Sequence, residues 1–284
     1  MRLSQVIALA ALGMFVVTET AAQQDPFAPA KPKWELGIIG GGAYTPDYPG
    51  SDEKHAHPLI LPYLVYRGET LYSDERGPAA RLLKLRDLKF DISVSGSFAS
   101  HSSKNNARVG MPDLDTIGEI GPRLEWTILR AARDAKIEFE LPVRAAISTD
   151  FSSRIDFRGF IMAPELAYQH DDFFQTGTKL KLGLKANFAT QKLMDYFYQV
   201  DAPFVAAGRS AFDAKGGYLG TGLQLSTITP INDRIKILAL GKLDYLGGAK
   251  NEQSPLFRDN FNYMIGIGLI VSLFVSDETV RGIE

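Results

Sequence analysis

A strict alternation of apolar and polar residues constrains the fold of this chain more than any other feature. Between residues 88 and 98, nearly every second side chain is apolar, and the side chains between them are polar or charged. Because successive side chains of a β-strand point to opposite faces, this pattern predicts a strand with one apolar face and one wet face. The apolar face holds Leu88, Phe90, Ile92, Val94 and Phe98, and the polar face holds Lys89, Asp91, Ser93, Ser95 and Ser97.

The alternation recurs from Trp34 almost to the C-terminus. The predicted strands are 34–44, 57–66, 69–74, 79–86, 88–100, 116–130, 135–148, 153–168, 178–190, 215–228, 234–246 and 258–274. Most reach about 10 residues, the length that a tilted strand needs to cross a bilayer, whereas a soluble β-sandwich needs no such length. The sequence therefore predicts an all-β fold, a closed antiparallel transmembrane β-barrel of about 12 strands. Residues 69–86 are compatible with one bulged strand or with two.

The N-terminus predicts export. Arg2 precedes an apolar run from Val6 to Val17, and small residues at Thr20 and Ala22 precede a polar stretch. This is the order of a secretory signal peptide, with cleavage expected after Ala22, and the apolar run is too short to span a bilayer. The predicted segments are a signal peptide (1–22), an extended proline-punctuated spacer (23–33), the barrel (34–274) and a periplasmic C-terminal tail (275–284).

The composition further narrows the possible classes of protein and of binding partner. The chain has no cysteine, so neither disulfides nor lipid attachment at the cleavage site is available to it. A formal net charge of −2 implies no nucleic-acid partner. The aromatic residues near predicted strand ends fit the two interfacial girdles of an outer-membrane barrel. They are Trp34, Tyr44, Tyr63, Tyr66, Tyr168, Tyr218, Tyr245 and Tyr263.

The connections and the lumen follow from the same pattern. Residues 45–56, 101–115, 190–214 and 247–257 are predicted outer loops, and short links such as 231–233 are predicted periplasmic turns. The polar faces of the predicted strands point into the lumen. Its predicted charges are Lys179, Lys181, Lys185, Glu138, Glu140, Arg144, Arg123 and Glu125, with Glu119 beside them. Such mixed charges favour a stabilising network over a selective channel lining, because small barrels are filled by their own side chains.

Residues that could carry chemistry are few. His55 and His57 lie near Asp52 and Glu53, but a closed metal site needs three or four convergent ligands, so a polar loop is the preferred interpretation. His101 and Ser103, with Asp113 or Asp115 to orient the base, resemble the arrangement of lipid A deacylases. The lipid-facing positions of this strand are even-numbered, so the side chains of His101 and Ser103 are expected to point into the lumen, away from a lipid substrate. No catalytic residue, cofactor or metal is therefore predicted, and the chain is not expected to be an enzyme.

Residues 43–67 carry a family resemblance. They contain a Pro-x-Tyr-x-Gly-Ser stretch and then a proline-punctuated strand ending in Tyr-Arg, which resembles the opening of the MipA/OmpV family of outer-membrane proteins. The motif residues are Pro46, Tyr48, Gly50, Ser51, Tyr66 and Arg67. Gly216-Gly217 and Ser254-Pro255-Leu256 also look like that family. One departure is that Phe274 is followed by residues 275–284, whereas outer-membrane barrels commonly end on an aromatic residue.

The resemblance implies a barrel in the cell outer membrane, surrounded by its lipid. Family members are described as scaffolds for a lytic transglycosylase and a penicillin-binding protein, and as adhesins. The first functional hypothesis is therefore a non-enzymatic scaffold that links cell-wall (murein) enzymes to the outer membrane. The alternative is a small-solute channel of the porin type, and a lipid A-modifying enzyme is the distant third.

Overall fold

The computed structural model describes residues 31–67, 71–74, 77–80, 83–84, 87–152 and 154–280. The predicted signal peptide and most of the predicted spacer lie outside the described residues. The strands are β1 (Lys31–Pro32), β2 (Trp34–Pro46), β3 (Lys54–Arg67), β4 (Leu71–Asp74), β5 (Gly77–Ala80), β6 (Leu83–Lys84), β7 (Leu88–Ser97), β8 (Thr116–Ala132), β9 (Ala135–Thr149), β10 (Ile155–Met162), β11 (Glu165–Phe173), β12 (Thr178–Ala189), β13 (Gly217–Pro230), β14 (Ile235–Tyr245), β15 (Phe261–Val275) and β16 (Thr279–Val280). One α-helix, α1, spans Gln191–Tyr198.

The long strands form an antiparallel up-and-down meander. From β7 to β15 the strands pair with their neighbours in the chain, except that β10 and β11 do not pair with each other and both pair with β9 and β12. β15 then pairs with β2 from Ile265–Tyr44 to Val275–Glu35. The first and last long strands are therefore hydrogen-bonded to each other. At the other end of the ladder, β5 lies within 8 Å of β7, so that the two ends of the sheet meet. This is the predicted antiparallel barrel.

The wall between β3 and β7 is built differently from the rest. Three short strands, β4, β5 and β6, stand where the sequence predicted one or two longer ones. β4 pairs with β3 only at Tyr66 and Arg67. Further along, β3 carries Pro58 and Pro62. The Arg67 N–H donates to the Lys33 carbonyl on the β2 side, and N–H groups alternate in direction along a strand. Pro58 and Pro62 have the opposite parity, so the N–H groups that they lack would point away from β2. Proline on the outer side of a strand is a common way to blunt a sheet edge.

The predicted strand 153–168 is longer than expected and broken in the middle. β10 and β11 lie end to end, and the break falls at Ala163-Pro164. Pro164 cannot donate to the ladder, and its carbonyl instead accepts the N–H of Ala186 at 3.0 Å. The continuation beyond residue 168 to Phe173 brings Gln169 into the sheet, where it lies with Glu165 on the same face as the lumen charges.

Burial confirms the predicted faces. In β15, Ile265 and Ile267 are 62% and 68% exposed, while Asn262 and Ile270 are almost fully buried. An apolar face exposed to the surroundings with a buried inner face is the arrangement of a lipid-facing strand. Tyr44, Tyr245, Phe261 and Tyr263 form an exposed aromatic group at the outer end of β2, β14 and β15, with Tyr44 and Tyr263 ring centroids 6.2 Å apart.

One aromatic residue was assigned to the wrong place. Tyr63, expected in a girdle, is 4% exposed and lies on the lumen face of β3. Its hydroxyl accepts a hydrogen bond from the Lys236 ammonium at 3.1 Å. Parity gives the reason: Tyr63 shares its face with Val65, which is also buried, and not with the exposed Leu64.

The two ends of the barrel chain meet at the rim opposite the long loops. Lys31–Pro32 of the predicted spacer pair with Thr279–Val280 of the predicted tail. The Lys33 ammonium lies 2.9 Å from the Glu278 carboxylate. Among the described residues, no helix is long and apolar enough to span a bilayer.

A charge placed on the lipid face tests the orientation of the strands. Leu184 on β12 and Val109 in an outer loop are both 53% exposed. Leu184→Arg is expected to lower the free energy of unfolding by about 2–4 kcal/mol, since the charge would enter the hydrocarbon near the midplane. Val109→Arg should have little effect, because that side chain faces water. Urea unfolding in lipid vesicles measures both; equal losses would mean that the assigned faces are wrong.

Candidate functional site

The lumen wall carries a connected network of buried charges, beginning on β7 and β8. The Arg123 guanidinium donates to both carboxylate oxygens of Asp91, each at 2.9 Å, and contacts Glu125 at 2.6 Å. The Lys89 ammonium lies 3.0 Å from Asp91 and 2.9 Å from Glu125. The Asp91 side chain has no exposed surface. Two cations and two anions thus neutralise one another in a fork geometry that favours arginine.

The network continues across β9, β11 and β12. Arg123 also lies 3.6 Å from Glu140, which is 2.7 Å from the Lys181 ammonium. Lys181 in turn lies 3.0 Å from Glu165 on β11. These side chains are between 4% and 16% exposed, so a water molecule reaches little of this part of the lumen wall. Lys181 and Glu140, both among the predicted lumen charges, are thus paired with each other in the structure.

The other predicted lumen charges have different partners. Glu138 lies 2.8 Å from the Lys136 ammonium and accepts a hydrogen bond from Gln169 at 2.6 Å. Arg144 pairs with Glu119 at 2.9 Å. The Lys185 ammonium donates to the Gln224 side chain at 3.0 Å rather than to a carboxylate among the described residues. Lys179 is half-buried near the periplasmic end of β12.

Several members of the network were not among the predicted lumen charges. Asp91 and Lys89 are visible in the alternation of β7, and parity alone could have added them. Glu165 and Gln169 were hidden because the break at Pro164 interrupts the pattern. A second cluster joins Arg67 to Glu35 at 2.7 Å, with Lys236 at 3.7 Å from the same carboxylate. Its members are far apart in the sequence. They meet because β3, β2, β15 and β14 are neighbours in the sheet.

Beside this second charge cluster the lumen wall carries an apolar patch. Tyr63, Val65 and Ile270 form a buried cluster there, packed against Ile39, Ile228 and Leu238. Leu61 lies on the same lumen face as Tyr63 but is 43% exposed. The lumen is therefore not completely filled beside Leu61.

The outer loops pack together into a cap with its own hydrophobic core. Buried residues come from all four predicted outer loops and the adjoining strand ends: Tyr48, Leu114, Ile117, Ala146, Ala189, Leu193, Met194, Phe197, Tyr198, Val200, Ala214, Leu219 and Leu256. Helix α1, which the sequence pattern did not predict, supplies Leu193, Met194, Phe197 and Tyr198. Since the loops start at different points around the barrel, these contacts join them to one another at one end of it.

The residues of the Pro-x-Tyr-x-Gly-Ser motif hold the cap together. The Tyr48 hydroxyl donates to the Leu256 carbonyl at 2.7 Å. Gly50 has a φ of +85°, and its N–H donates to the Asn262 side chain at 2.6 Å. A Cβ at Gly50 would lie 2.8 Å from the Phe257 ring, so only glycine fits. Ser51 is fully buried, and its hydroxyl accepts a hydrogen bond from Asn105.

The other motif residues lie at the strand ends. Pro46 is the last residue of β2. Tyr66 and Arg67 stand at the periplasmic end of β3, where the Arg67 guanidinium donates to the Pro32 carbonyl at 2.6 Å and to Glu35 at 2.7 Å. The family motif thus marks both ends of the first hairpin: the cap at one end and the junction with the chain termini at the other.

Buried polar groups tie the cap loops to each other. The Asn105 amide donates to the Asp47 carboxylate at 2.7 Å, and the other Asp47 oxygen lies 2.7 Å from His55. Arg108 is buried against the face of the Tyr48 ring and donates to the Phe197 carbonyl at 3.1 Å. Burial lowers the pKa of Arg108 and raises the pKa of Tyr198. These contacts link the loops at 45–56, 101–115 and 190–214.

The possible His–Ser arrangement lacks the contact that catalysis needs. His101 lies in an outer loop, with its Nδ1 2.9 Å from the Asp113 carboxylate, and the hydrogen bonds from His101 and the Ser102 backbone lower the pKa of Asp113. The Ser102 hydroxyl is buried and donates to the Pro112 carbonyl at 2.6 Å. Ser103 is exposed, and no hydrogen bond joins it to His101. Within residues 31–67, 87–152 and 154–280, no group of three or more potential ligands could hold a metal ion.

Comparison with known families decides the relationship. The family model described as MltA-interacting protein MipA matches residues 38–272. The chain belongs to the MipA family. The match runs from the middle of β2 to the end of the lipid-facing part of β15, and with the antiparallel sheet it identifies the chain as an outer-membrane β-barrel. No curated protein matches the sequence significantly.

Solved structures show only distant likenesses. Outer membrane phospholipase A from Escherichia coli is 10% identical, with a TM-score of 0.32, over 84% of this chain and 94% of that chain. Neisserial surface protein A (NspA) is 11% identical, with a TM-score of 0.26, over 86% and 99%. The CymD monoaromatic hydrocarbon channel is 9% identical, with a TM-score of 0.33, over 86% and 89%. At such values they say nothing about the activity of this chain.

Removing the central guanidinium tests the lumen network. Arg123→Met is expected to lower the free energy of unfolding by about 3–5 kcal/mol, because Asp91 and Glu125 would remain buried beside an apolar side chain. Arg154→Met, which breaks an exposed pair with Asp150, should change stability little. Denaturant unfolding in vesicles compares the two variants. A similar response from both would show that the network does not stabilise the wall.

Glycine substitutions test the cap separately from the barrel. Gly50→Ala is expected to speed proteolysis of the outer loops, since its Cβ would collide with Phe257. Gly110 has a similar φ of +81° but open space around its Cβ, so Gly110→Ala carries the same backbone strain without the collision. Trypsin cleavage of proteoliposomes, with heat-modifiable gel migration as the check on the barrel, distinguishes them. Equal cleavage of both variants would contradict the proposed packing of the motif.

Proposed function

We propose that this MipA-family barrel is a non-enzymatic scaffold that attaches murein enzymes to the outer membrane. The family description names an MltA-interacting protein, which makes a lytic transglycosylase the first partner to test. The family resemblance of the sequence adds a penicillin-binding protein as the second. The single structural observation that carries the proposal is the network of ion pairs along the lumen wall between β7 and β12, which pairs the inward charges with one another. A wall held in this way is better suited to keeping a surface in place than to passing solutes.

The charge network supports this function in a second way. Paired charges on the lumen wall fix the relative positions of β7, β8, β9, β11 and β12, because several ion pairs join side chains of different strands. A rigid wall keeps the periplasmic turns at fixed positions. A docking platform benefits from such preorganisation, since less conformational entropy is lost on binding.

Binding to purified partners tests the scaffold function directly. The full mature chain in lipid nanodiscs is expected to bind a purified MltA-type lytic transglycosylase and, in a separate measurement, a penicillin-binding protein of the same envelope. Surface plasmon resonance gives the affinity, and a trimeric porin in identical nanodiscs is the control for non-specific adsorption. If the barrel binds neither enzyme more tightly than the porin does, the proposal is contradicted.

The alternative is a small-solute channel, favoured by the unfilled space beside Leu61. The two functions differ in their expected conductance. The scaffold predicts small and unsteady currents in planar bilayers, and it predicts that Lys181→Ser with Lys185→Ser lowers thermal stability and opens a leak. A channel predicts large, steady, anion-selective currents in the unaltered protein, with the same substitutions weakening anion preference at little cost in stability.

A further inference from the structure

The barrel wall has a seam between residues 58–62 of β3 and residues 92–96 of β7. On the side of β3 away from β2, β4 pairs with it only at Tyr66 and Arg67, near the end opposite the long loops. Among the described residues, no strand pairs with β3 or β7 along the seam on the sides away from β2 and β8. The seam ends toward the long loops, where the His57 and Phe98 rings stack with centroids 4.6 Å apart.

The seam lies at the depth of the hydrocarbon. Ile60 is opposite Gly40 of β2, and Gly40 is opposite the lipid-facing Leu269 of β15. The exposed aromatic group that marks one interface lies farther along β2, at Tyr44. Ile60 itself is 81% exposed. The medium that contacts the outer side of the seam therefore consists of alkyl chains.

The edge of β3 is adapted to remaining unpaired. Its even-numbered residues direct their backbone groups away from β2, since the Arg67 N–H donates on the β2 side. Pro58 and Pro62, which flank Ile60 on this edge, have no N–H. Because an N–H without a partner is costly in hydrocarbon, the two prolines remove two of the penalties for leaving the edge open.

Side chains on the lumen face are accessible on both sides of the seam. On β3, Leu61 is 43% exposed, whereas Tyr63, two residues away on the same face, is 4% exposed. On β7, Ser95 is exposed, whereas Ser93 on the same face is 7% exposed. The exposed positions are those beside the unpaired edges, which is the pattern that an opening in the wall produces.

The lumen surface behind the seam is apolar. Tyr63, Val65 and Ile270 form its buried base, and Ile39 and Leu238 pack against this base while remaining partly exposed. An apolar surface that faces a water-filled space is unfavourable, and an alkyl chain lying on it would remove that contact with water.

Charged groups are confined to one end of this surface. The Lys236 ammonium lies 3.7 Å from the Glu35 carboxylate, and the Arg67 guanidinium lies 2.7 Å from the same carboxylate. All three side chains belong to the end opposite the long loops. The part of the surface nearest the seam, beside Leu61, is left to apolar contacts.

We propose that the seam admits an alkyl chain of a bilayer phospholipid into the lumen, where the chain lies against Leu61 and the apolar surface behind it. The bilayer supplies such chains at this depth, and the lumen offers them an apolar surface. Binding is favoured because it buries apolar area that otherwise meets water. This lateral lipid site is independent of the scaffold function, which concerns the ends of the barrel.

A label on the lumen side of β2 tests whether a chain enters. The sequence has no cysteine, so each variant carries a single thiol. Ile39→Cys is labelled with bimane, and the full mature chain is refolded into vesicles of brominated phosphatidylcholine. Its fluorescence is expected to fall relative to vesicles of the same lipid without bromine, because an entering chain brings bromine atoms against the label.

Two neighbouring residues of β13 provide the controls. Leu225→Cys, on the lipid face, should be quenched strongly. Ser226→Cys, on the lumen face opposite Lys181, reports any quenching through the wall. Heat-modifiable migration verifies that each variant is folded. If Ile39→Cys is quenched no more than Ser226→Cys, no alkyl chain enters and the proposal is wrong.

Substitutions at Leu61 test the route. In the labelled Ile39→Cys protein, Leu61→Arg places a charge beside the seam and is expected to abolish the quenching. Leu61→Ala, which stays apolar, should preserve it. Quenching that persists with Leu61→Arg would mean that the chain reaches the lumen elsewhere and would overturn the seam as the entrance. Loss of quenching in both variants would indicate altered packing and would also contradict the proposal.

Discussion

The need to satisfy every backbone hydrogen bond in a medium without water governs this structure. In hydrocarbon an unpaired N–H or C=O costs several kcal/mol, so a spanning sheet has to close on itself. Here β15 pairs with β2, which joins the last long strand to the first, and β5 lies within 8 Å of β7 where the two ends of the sheet meet. Once the wall is closed, side-chain parity assigns every residue either to lipid or to the lumen. The apolar alternation and the buried charges are two consequences of the same closure.

Because closure joins distant segments, the sequence predicted which face of the sheet each side chain occupies but not which side chains it contacts. Parity is local, so the inward positions of Glu138, Glu140 and Lys181 could be predicted within each strand. Which charges meet depends on strand order and register, and these are set by pairings between distant segments. Lys185 shows the limit: it was expected among carboxylates, yet the register of β12 and β13 places its ammonium against Gln224. Tyr63 shows the same limit for aromatic residues, because a strand-end position does not say which face a ring occupies.

The periodicity of the sequence could not predict the cap, for a different reason. Its hydrogen bonds join residues that are far apart in the chain, such as Tyr48 with Leu256 and Arg108 with Phe197. Loops carry no alternation from which such contacts could be predicted, and α1 is too short to give a clear helical pattern. The only sequence signal was the family motif. Its Gly50 is conformationally necessary, and its Tyr48 and Ser51 are buried where the loops meet, so the resemblance pointed to the cap residues before their geometry was known.

Taken together, the lumen and the cap limit where a partner can act. A wall held by buried ion pairs resists rearrangement, since breaking one pair leaves charges without partners at low dielectric. The cap adds a hydrophobic core on the outer side. The lipid face is available only to lipid and to other membrane proteins. The remaining accessible surfaces are the loop exteriors and the periplasmic rim.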